Sequence, residues 1–478
     1  MKSGVWLVGC ADQPHPRIFF PRRACSRWGS AAGVRLRFYK ASNFVNALLR
    51  YNGDMAKSNF VGYRCSLCNR EYLPGQVTYT CPEDGGNLDV VLDYDAIRQK
   101  YQPEDLTSRA EESLWRYLPL LPVPDPGGEN TPLRRAGWTP VYRLDRLALA
   151  LGLDHLWLKD ESRNPTASFK DRASAVVVAR AREIAAETIV TASTGNAGAA
   201  LAGMSAAVGQ KAVIFAPKSA PQAKVAQLLV YGAQVILVDG TYDEAFDLTI
   251  QAAEEFGWYC RNTGYNPFTA EGKKTAAFEI WEWWETEHRN RHESGSLSDH
   301  HSPLTIFVSV GDGNIISGIH KGFKDLQALG WIEVIPRIIG VQATGSAAIA
   351  NAFHAGTEQI IPISANTIAD SISVDLPRDG VRAVRAVRDT GGTYILVEDD
   401  EILQAIAALG PQGIFAEPAG ATAYAGLVKA TKQGIIKPGD PVLVLNTGSG
   451  LKDVRAAMQA VKPAPVIEPN LAALKRLL

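Results

Sequence analysis

Four times along this chain a short apolar run breaks into a turn of small and polar residues that opens a helix. Leu156-Trp157-Leu158 leads through a polar turn at Asn164-Pro165 to Ser168-Phe169-Lys170, at the head of an Ala/Val-rich helix. The run from Glu187 to Val190 leads into Thr191-Ala192-Ser193-Thr194-Gly195-Asn196-Ala197-Gly198 and a small-residue helix from Ala199 to Val208. Thr305 to Val310 breaks at Gly311-Asp312-Gly313-Asn314-Ile315-Ile316-Ser317-Gly318, before a helix around His320 to Leu329. Val442-Leu443-Val444-Leu445 ends in Asn446-Thr447-Gly448-Ser449-Gly450-Leu451-Lys452-Asp453. The same alternation places Lys211–Ala216 before Pro221–Tyr231 and Ala233–Val238 before Asp243–Phe256, with further strands at Arg337–Gln342 and Thr393–Val397. Buried strands alternating with amphipathic helices restrict the chain to an α/β fold with parallel-type sheets flanked by helices.

The turns are chemically unusual. A lysine at a helix N-terminus meets amides that already carry partial positive charge. A bound anion nearby, or loss of the charge in an imine, removes the conflict; a solvated surface lysine avoids it. The Ser193 to Ala197 turn presents amides and hydroxyls suited to a carboxylate or phenolate, and reads equally as an ordinary N-cap. Gly311 to Ile315 has the geometry of a phosphate cradle. It is not a dinucleotide fingerprint, because Ile316 stands at the third glycine position, and no Gly-Lys-Ser/Thr follows to make a Walker loop. The hydroxyls after Leu445 suit the edge of a ligand, or form a plain strand-to-helix turn.

Composition excludes several function classes. The chain has 478 residues, enough for more than one domain. Its 49 basic and 50 acidic residues give a net charge of -1, which implies no nucleic-acid or other polyanion partner. Apolar runs stop well short of a membrane span, and six cysteines in a chain this long do not suggest a disulfide scaffold. A reducing cytoplasm is the expected setting.

Residues 1–54 mix Pro, Arg, Trp and Phe without periodicity, and no signal peptide is evident; the expectation is an atypical extension with the natural start at Met55. Residues 55–92 hold Cys65-Ser-Leu-Cys68 and Cys81-Pro-Glu-Asp84, the outline of a zinc ribbon with Asp84 at the fourth ligand position. Three thiolates and a carboxylate can bind zinc; a metal-free remnant held by apolar packing is the alternative. Residues 93–130 read as a helical, Pro-rich approach, 131–462 as the α/β core, 285–303 within it as an exposed connector, and 463–478 as a tail.

Taken together, the four turns resemble the fold-type-II enzymes that depend on pyridoxal 5′-phosphate, and among them the threonine synthases, from Thr131-Pro132-Leu133 to Lys452-Asp453. The resemblance implies two lobes with the cofactor between them, and a homodimer. It makes Lys170 the Schiff-base lysine, and places Asn196 at the cofactor's 3′ oxygen. Gly311, Asp312, Gly313, Asn314 and Ile315 then surround its phosphate, and Thr447 faces the pyridine nitrogen. A neutral hydroxyl there does not hold that nitrogen protonated, which favours elimination and replacement over transamination. Ser193, Thr194, Gly195, Asn196 and Ala197 would bind the carboxylate of a small amino-acid substrate. Many members carry a similar N-terminal ribbon.

Thr269 departs from the pattern, which has an arginine for the substrate's phosphate; Lys273 and Lys274 are the nearest substitutes in sequence. Ala167 and Ala173 stand where the family has glycine. Three functions are therefore weighed. The first is a threonine synthase acting on O-phosphohomoserine. The second is a threonine/serine ammonia-lyase or β-replacing relative, and the third a cofactor-binding protein without turnover. The Thr-Gly-Ser-Gly-Leu-Lys-Asp ending and the absence of a four-glycine phosphate loop favour the first. A complete carboxylate turn beside Lys170 argues against the third.

Overall fold

The computed structural model describes residues 59–193, 195–220, 222–293 and 303–478. The expectations for residues 1–54 and Met55, and the placement of Thr194, lie outside the described residues. The chain begins with a small antiparallel ribbon of β1 (Phe60–Cys65), β2 (Glu71–Tyr72) and β3 (Leu88–Leu92), in the order β2-β1-β3. In β3 the alternating Leu88, Val90 and Leu92 turn inward, as expected of a strand with one covered face.

Two larger sheets follow. The first runs β12-β11-β10-β13-β5-β4 and contains β4 (Val141–Arg143), β5 (Leu156–Asp160), β10 (Thr305–Ser309), β11 (Arg337–Ala343), β12 (Tyr394–Val397) and β13 (Val442–Asn446). Its neighbours pair in parallel except for the antiparallel edge strand β4. The second runs β8-β7-β6-β9, all parallel, from β6 (Thr188–Ala192), β7 (Lys211–Pro217), β8 (Gln234–Val238) and β9 (Tyr259–Cys260). Every residue of β5, β6, β10 and β13 is buried, because helices cover both faces. The expected α/β class with two parallel-type sheets is what the chain forms.

Three helices fill the space behind the strand ends: Lys170–Glu183, Phe268–Glu293 and Asn314–Ala328. The Ala/Val-rich face of the first lets backbones approach closely. A Cβ at Gly272 would lie 2.1 Å from the Arg172 carbonyl oxygen, so only glycine permits that crossing.

Four features differ from the sequence reading. The Phe268–Glu293 helix runs through the first half of the connector expected at 285–303, since no Gly or Pro stands between Gly272 and Gly295. The helices expected near Ala199 and His320 begin at Asn196 and Asn314, directly at the turns. The expected tail carries a short helix, Leu471–Leu477, capped by Asn470. No helix among the described residues is long and apolar enough to cross a membrane.

Candidate active site

Parallel strands converge their C-terminal ends on a cavity of about 570 Å³. This is where ligands of open α/β sheets bind, because the turns leaving those ends are free to carry function. Lys170, Ser193, Asn196, Asp312 and Thr447 all line it.

Lys170 is delivered by local chemistry. After β5, Asp160 accepts bonds from Ser162 N–H and Oγ–H, and from Asn446 Nδ2 at 2.8 Å, joining the ends of β5 and β13. Asp171 accepts from Thr166 N–H at 2.6 Å. Phe169 N–H donates to the Thr447 carbonyl at 2.9 Å, and Ser449 N–H to the Ala167 carbonyl at 3.1 Å. These backbone bonds seat Lys170 and Thr447 at one cavity wall. Among the described residues, Lys170 has neither a hydrogen bond nor an ion pair. Burial, then the nearby Arg261 cation, pull its pKa down to about 8, against the carboxylates of Asp312 and Glu417.

Two anion cups flank the lysine. Ser193, Gly195, Asn196 and Ala197 line one side; Gly195 N–H donates to Ser193 Oγ at 3.2 Å. The second cup follows β10. Gly313 has φ +88° and caps the Asn314–Ala328 helix. A Cβ there would stand 2.6 Å from the Asp379 carbonyl oxygen, so the turn needs glycine for both conformation and space. Asn314 is fixed from both sides. Lys273 Nζ donates to its Oδ1, and its Nδ2 donates to Asp379 Oδ2 at 2.7 Å. An unpaired lysine, a helix N-terminus framed by glycines and a roomy cleft fit pyridoxal 5′-phosphate.

Two buried charged residues near Lys170 were not singled out by the sequence reading. Glu417, buried at the head of the Pro418–Lys432 helix, accepts from Asn196 Nδ2 at 2.7 Å. Burial pushes its pKa up to about 7, opposed by Lys170. Arg261 follows β9 and is fully buried; its Nε donates to Ser174 Oγ at 3.3 Å and Nη1 to Thr263 Oγ1 at 2.6 Å, while Nη2 has no partner. Burial pushes its pKa down to about 10.

The two candidate substitutes for the expected arginine separate. Lys273 lines the cavity, and burial with the neighbouring cations Lys170 and Arg261 holds its pKa well below normal. Lys274 pairs with Asp325 at 2.7 Å and Glu271 at 2.5 Å instead. Adjacent helical residues point in different directions, so only one could face the cleft. Thr269 donates to the Asn266 carbonyl at 2.7 Å. The structure also gathers Cys65, Cys68, Cys81 and Asp84, whose ligand atoms lie within 4.8 Å of one another.

Comparison with known proteins gives a consistent result. The model of the pyridoxal-phosphate dependent enzyme family matches residues 133–448. Threonine synthase of Methanocaldococcus jannaschii is 39% identical over 420 residues, 87% of this chain and 98% of that protein. The threonine synthase of Methanosarcina acetivorans is 36% identical, over 86% of this chain and 97% of its own length. Among solved structures, the processed form of threonine deaminase isoform 2 from Solanum lycopersicum superposes with a TM-score of 0.57 at 24% identity, covering 73% of this chain and 88% of that one. O-ureido-L-serine synthase gives 0.56 at 19%, covering 70% and 97%. These structural likenesses establish the fold.

Proposed function

We propose a division of labour among the cleft residues of a chain that belongs to the pyridoxal-phosphate-dependent enzymes and, within them, to the threonine synthases. It is a lyase that uses pyridoxal 5′-phosphate to convert O-phospho-L-homoserine and water into L-threonine and phosphate. The single observation that carries the assignment of roles is Lys170, unpaired on a cavity wall between two anion cups.

When bound, the cofactor supplies a conjugated ring that spreads the negative charge left on a substrate carbon. Lys170 Nζ would hold the cofactor covalently and, once the substrate's amino group has displaced it, the freed amine would exchange a proton with the substrate's α carbon, a role its lowered proton affinity suits. The amides of Gly311 to Ile315 and the helix they open would hold the cofactor's phosphate, with Asp312 in the same loop. Thr447 offers the ring nitrogen a hydroxyl. Asn196, whose Nδ2 makes only a long 3.4 Å bond to Ser371 Oγ beside its bond to Glu417, would be free to meet the 3′ oxygen. The Ser193 to Ala197 turn, Thr194 included, takes the substrate carboxylate and so fixes which bond is aligned for cleavage. Glu417, bonded to Asn196 with a pKa near neutrality, can take up or release a proton at the same edge of the cleft.

Arg261 and Lys273 together provide the positive field that an arginine at position 269 would have supplied for the leaving phosphate. Lys274 is excluded, because its ammonium is already neutralised by Asp325 and Glu271. The family resemblance further supports a cytoplasmic homodimer acting on a small amino-acid substrate.

Inorganic phosphate and 2-oxo acids should be assayed with O-phosphohomoserine, threonine and serine as substrates. Phosphate and threonine should form from the first. A protein that releases no phosphate, yet makes 2-oxobutyrate or pyruvate, would overturn this function. Lys273→Met should lower kcat/KM for O-phosphohomoserine far more than Lys274→Met does, since an interaction with a departing phosphate strengthens in the transition state.

A further inference from the structure

The N-terminal ribbon contains two turns built to one plan. In the first, Asn69 N–H bonds the Cys65 carbonyl at 3.1 Å and Cys65 N–H bonds the Arg70 carbonyl at 2.8 Å. In the second, Gly85 N–H bonds the Cys81 carbonyl and Cys81 N–H the Gly86 carbonyl, both at 2.9 Å. Each turn ends in a left-handed residue, Asn69 at φ +61° and Gly85 at φ +70°. Asp84 therefore holds in the second turn the place that Cys68 holds in the first.

The side chains complete the pattern. Ligands about 2.0 to 2.3 Å from a tetrahedral zinc lie about 3.3 to 3.8 Å from each other. Cys68 Sγ and Cys81 Sγ are 3.8 Å apart, and Cys65 Sγ lies 3.3 Å from Asp84 Oδ1 and 3.6 Å from Oδ2. The three cysteines are free thiols. Neighbouring donors orient the set: Leu67 N–H to Cys65 Sγ at 3.3 Å, Gly86 N–H to Asp84 Oδ1 at 2.9 Å, and Tyr72 Oη 3.0 Å from Cys81 Sγ. Such outer contacts are what fix metal ligands in place. A Cβ at Gly86 would come within 2.7 Å of Cys65 Sγ and 2.9 Å of Asp84 Oδ1, so the backbone is packed against the ligand pair.

From this cluster a continuous set of contacts reaches the cofactor-phosphate cup. Asn87, just after the second turn, donates through Nδ2 to the carbonyls of Gly264 and Arg378, the latter at 3.0 Å. Asp89 in β3 accepts from Arg382 Nη1 at 2.6 Å. Arg382 grips the buried Asp379 through two bonds of 2.6 and 2.7 Å. Asp379 in turn accepts from Asn314 Nδ2 and donates its N–H to the Asp312 carbonyl at 2.9 Å.

We propose that Cys65, Cys68, Cys81 and Asp84 bind one zinc ion, and that the loaded ribbon braces the loop receiving the cofactor's phosphate through Asp89, Arg382 and Asp379. Soft thiolates with a single carboxylate in a tetrahedral arrangement select zinc over the harder cations. The second half rests on the assignment of Gly311 to Ile315 as the phosphate loop. These ribbon residues are positioning residues: they act through Asn314 and touch neither cofactor nor substrate.

Full-length holoenzyme purified without chelator should contain stoichiometric zinc by elemental analysis. Asp84→Ala should lose about tenfold or more in zinc affinity, and Asp84→Cys should retain it. Cobalt loaded in place of zinc should give the visible d–d absorption of a tetrahedral site, shifted in Asp84→Cys. Removing zinc should weaken pyridoxal phosphate binding by about tenfold. Asp89→Asn should weaken the cofactor while leaving zinc content unchanged. A wild-type chain that takes up neither zinc nor tetrahedral cobalt overturns the metal site. Normal cofactor affinity after zinc removal, or in Asp89→Asn, overturns the brace. A wild-type protein that never binds pyridoxal phosphate overturns instead the functional reading beneath it.

Discussion

Two groups of buried charges sit on either side of the turn that delivers Lys170, and they are built on opposite principles. Behind it, Lys159, Glu161, Arg172 and Glu279 form a closed set of two cations and two carboxylates. Arg172 bonds Glu161 at 2.7 and 2.8 Å and Glu279 at 2.5 and 2.7 Å, and Lys159 bonds Glu279 at 2.7 Å and the Thr139 carbonyl at 2.9 Å. Trp138 N–H and Asn164 Nδ2 take up further carboxylate oxygens. In front, Lys170, Lys273, Asp312 and Glu417 line the cavity with the buried Arg261 close enough to act on Lys170, and no ion pair joins these five among the described residues. Burial of charge is costly unless it is paired. The closed set meets that condition within the chain, whereas the open one meets it only when anions arrive. Pairing marks the scaffold, and its absence marks the binding site.

The largest effect should come from breaking the closed set. Arg172→Met leaves Glu161 and Glu279 buried with most of their donors gone, which costs about 3–5 kcal/mol. Urea unfolding of the cofactor-free protein measures it. A loss under about 1 kcal/mol would mean that water or neighbouring groups replace the guanidinium and that the set is not closed.

The open set should respond in the other direction. Lys170 has a folded pKa of about 8 against an ordinary value of 10.5, so the folded cofactor-free protein binds its proton less readily than the unfolded chain. The resulting penalty is full below pH 8 and vanishes as pH rises past 10.5. Lys170→Met should therefore stabilise the cofactor-free protein near neutrality by about 1–3 kcal/mol, with the gain fading across that window. The variant should also abolish the borohydride-stable cofactor adduct that mass spectrometry finds on Lys170 in the parent. An adduct on another lysine, or a stability gain that grows with pH, contradicts the placement.

A smaller effect separates Thr447 from the charged groups. Thr447→Val should weaken pyridoxal phosphate binding by about 1 kcal/mol, the scale of one hydrogen bond, with no change in cofactor-free stability beyond that. Thr447→Asp should shift products from elimination toward transamination, because a carboxylate favours a protonated ring nitrogen. Unchanged affinity and product ratio in both variants would place Thr447 away from the ring.

The same contrast explains what the sequence made legible. Lys170 and the glycine cups stood out because close backbone approach at strand ends demands small residues in a recognisable order. Glu417 did not, since a glutamate before proline reads as a helix start, and only the fold brings it to Asn196. Arg261 follows a strand of two residues, too short for any periodic signal. Lys273 and Lys274 were equivalent in sequence because helical phase, not residue type, decides which one meets the cleft. The first half of the connector expected at 285–303 is helix to Glu293 instead, because helices and loops share a polar composition; residues 294–302 lie outside the described residues.

The smallest effect concerns the turn between the two charge sets. Ala167 adopts φ +65°, a left-handed conformation that costs an alanine about 1–2 kcal/mol. It is held there because its N–H donates to the Asn164 carbonyl at 2.8 Å and its own carbonyl accepts from Ser449. Ala167→Gly removes the strain and adds unfolded-chain entropy of roughly 0.5–1 kcal/mol, leaving a net gain of about 0–1.5 kcal/mol. Thermal unfolding of the variant would measure it, alongside cofactor affinity. A stabilised protein with unchanged affinity shows that the strain is incidental to the site. A stabilised protein that binds pyridoxal phosphate less tightly shows instead that the stiff alanine turn is what aims Lys170 into the open set.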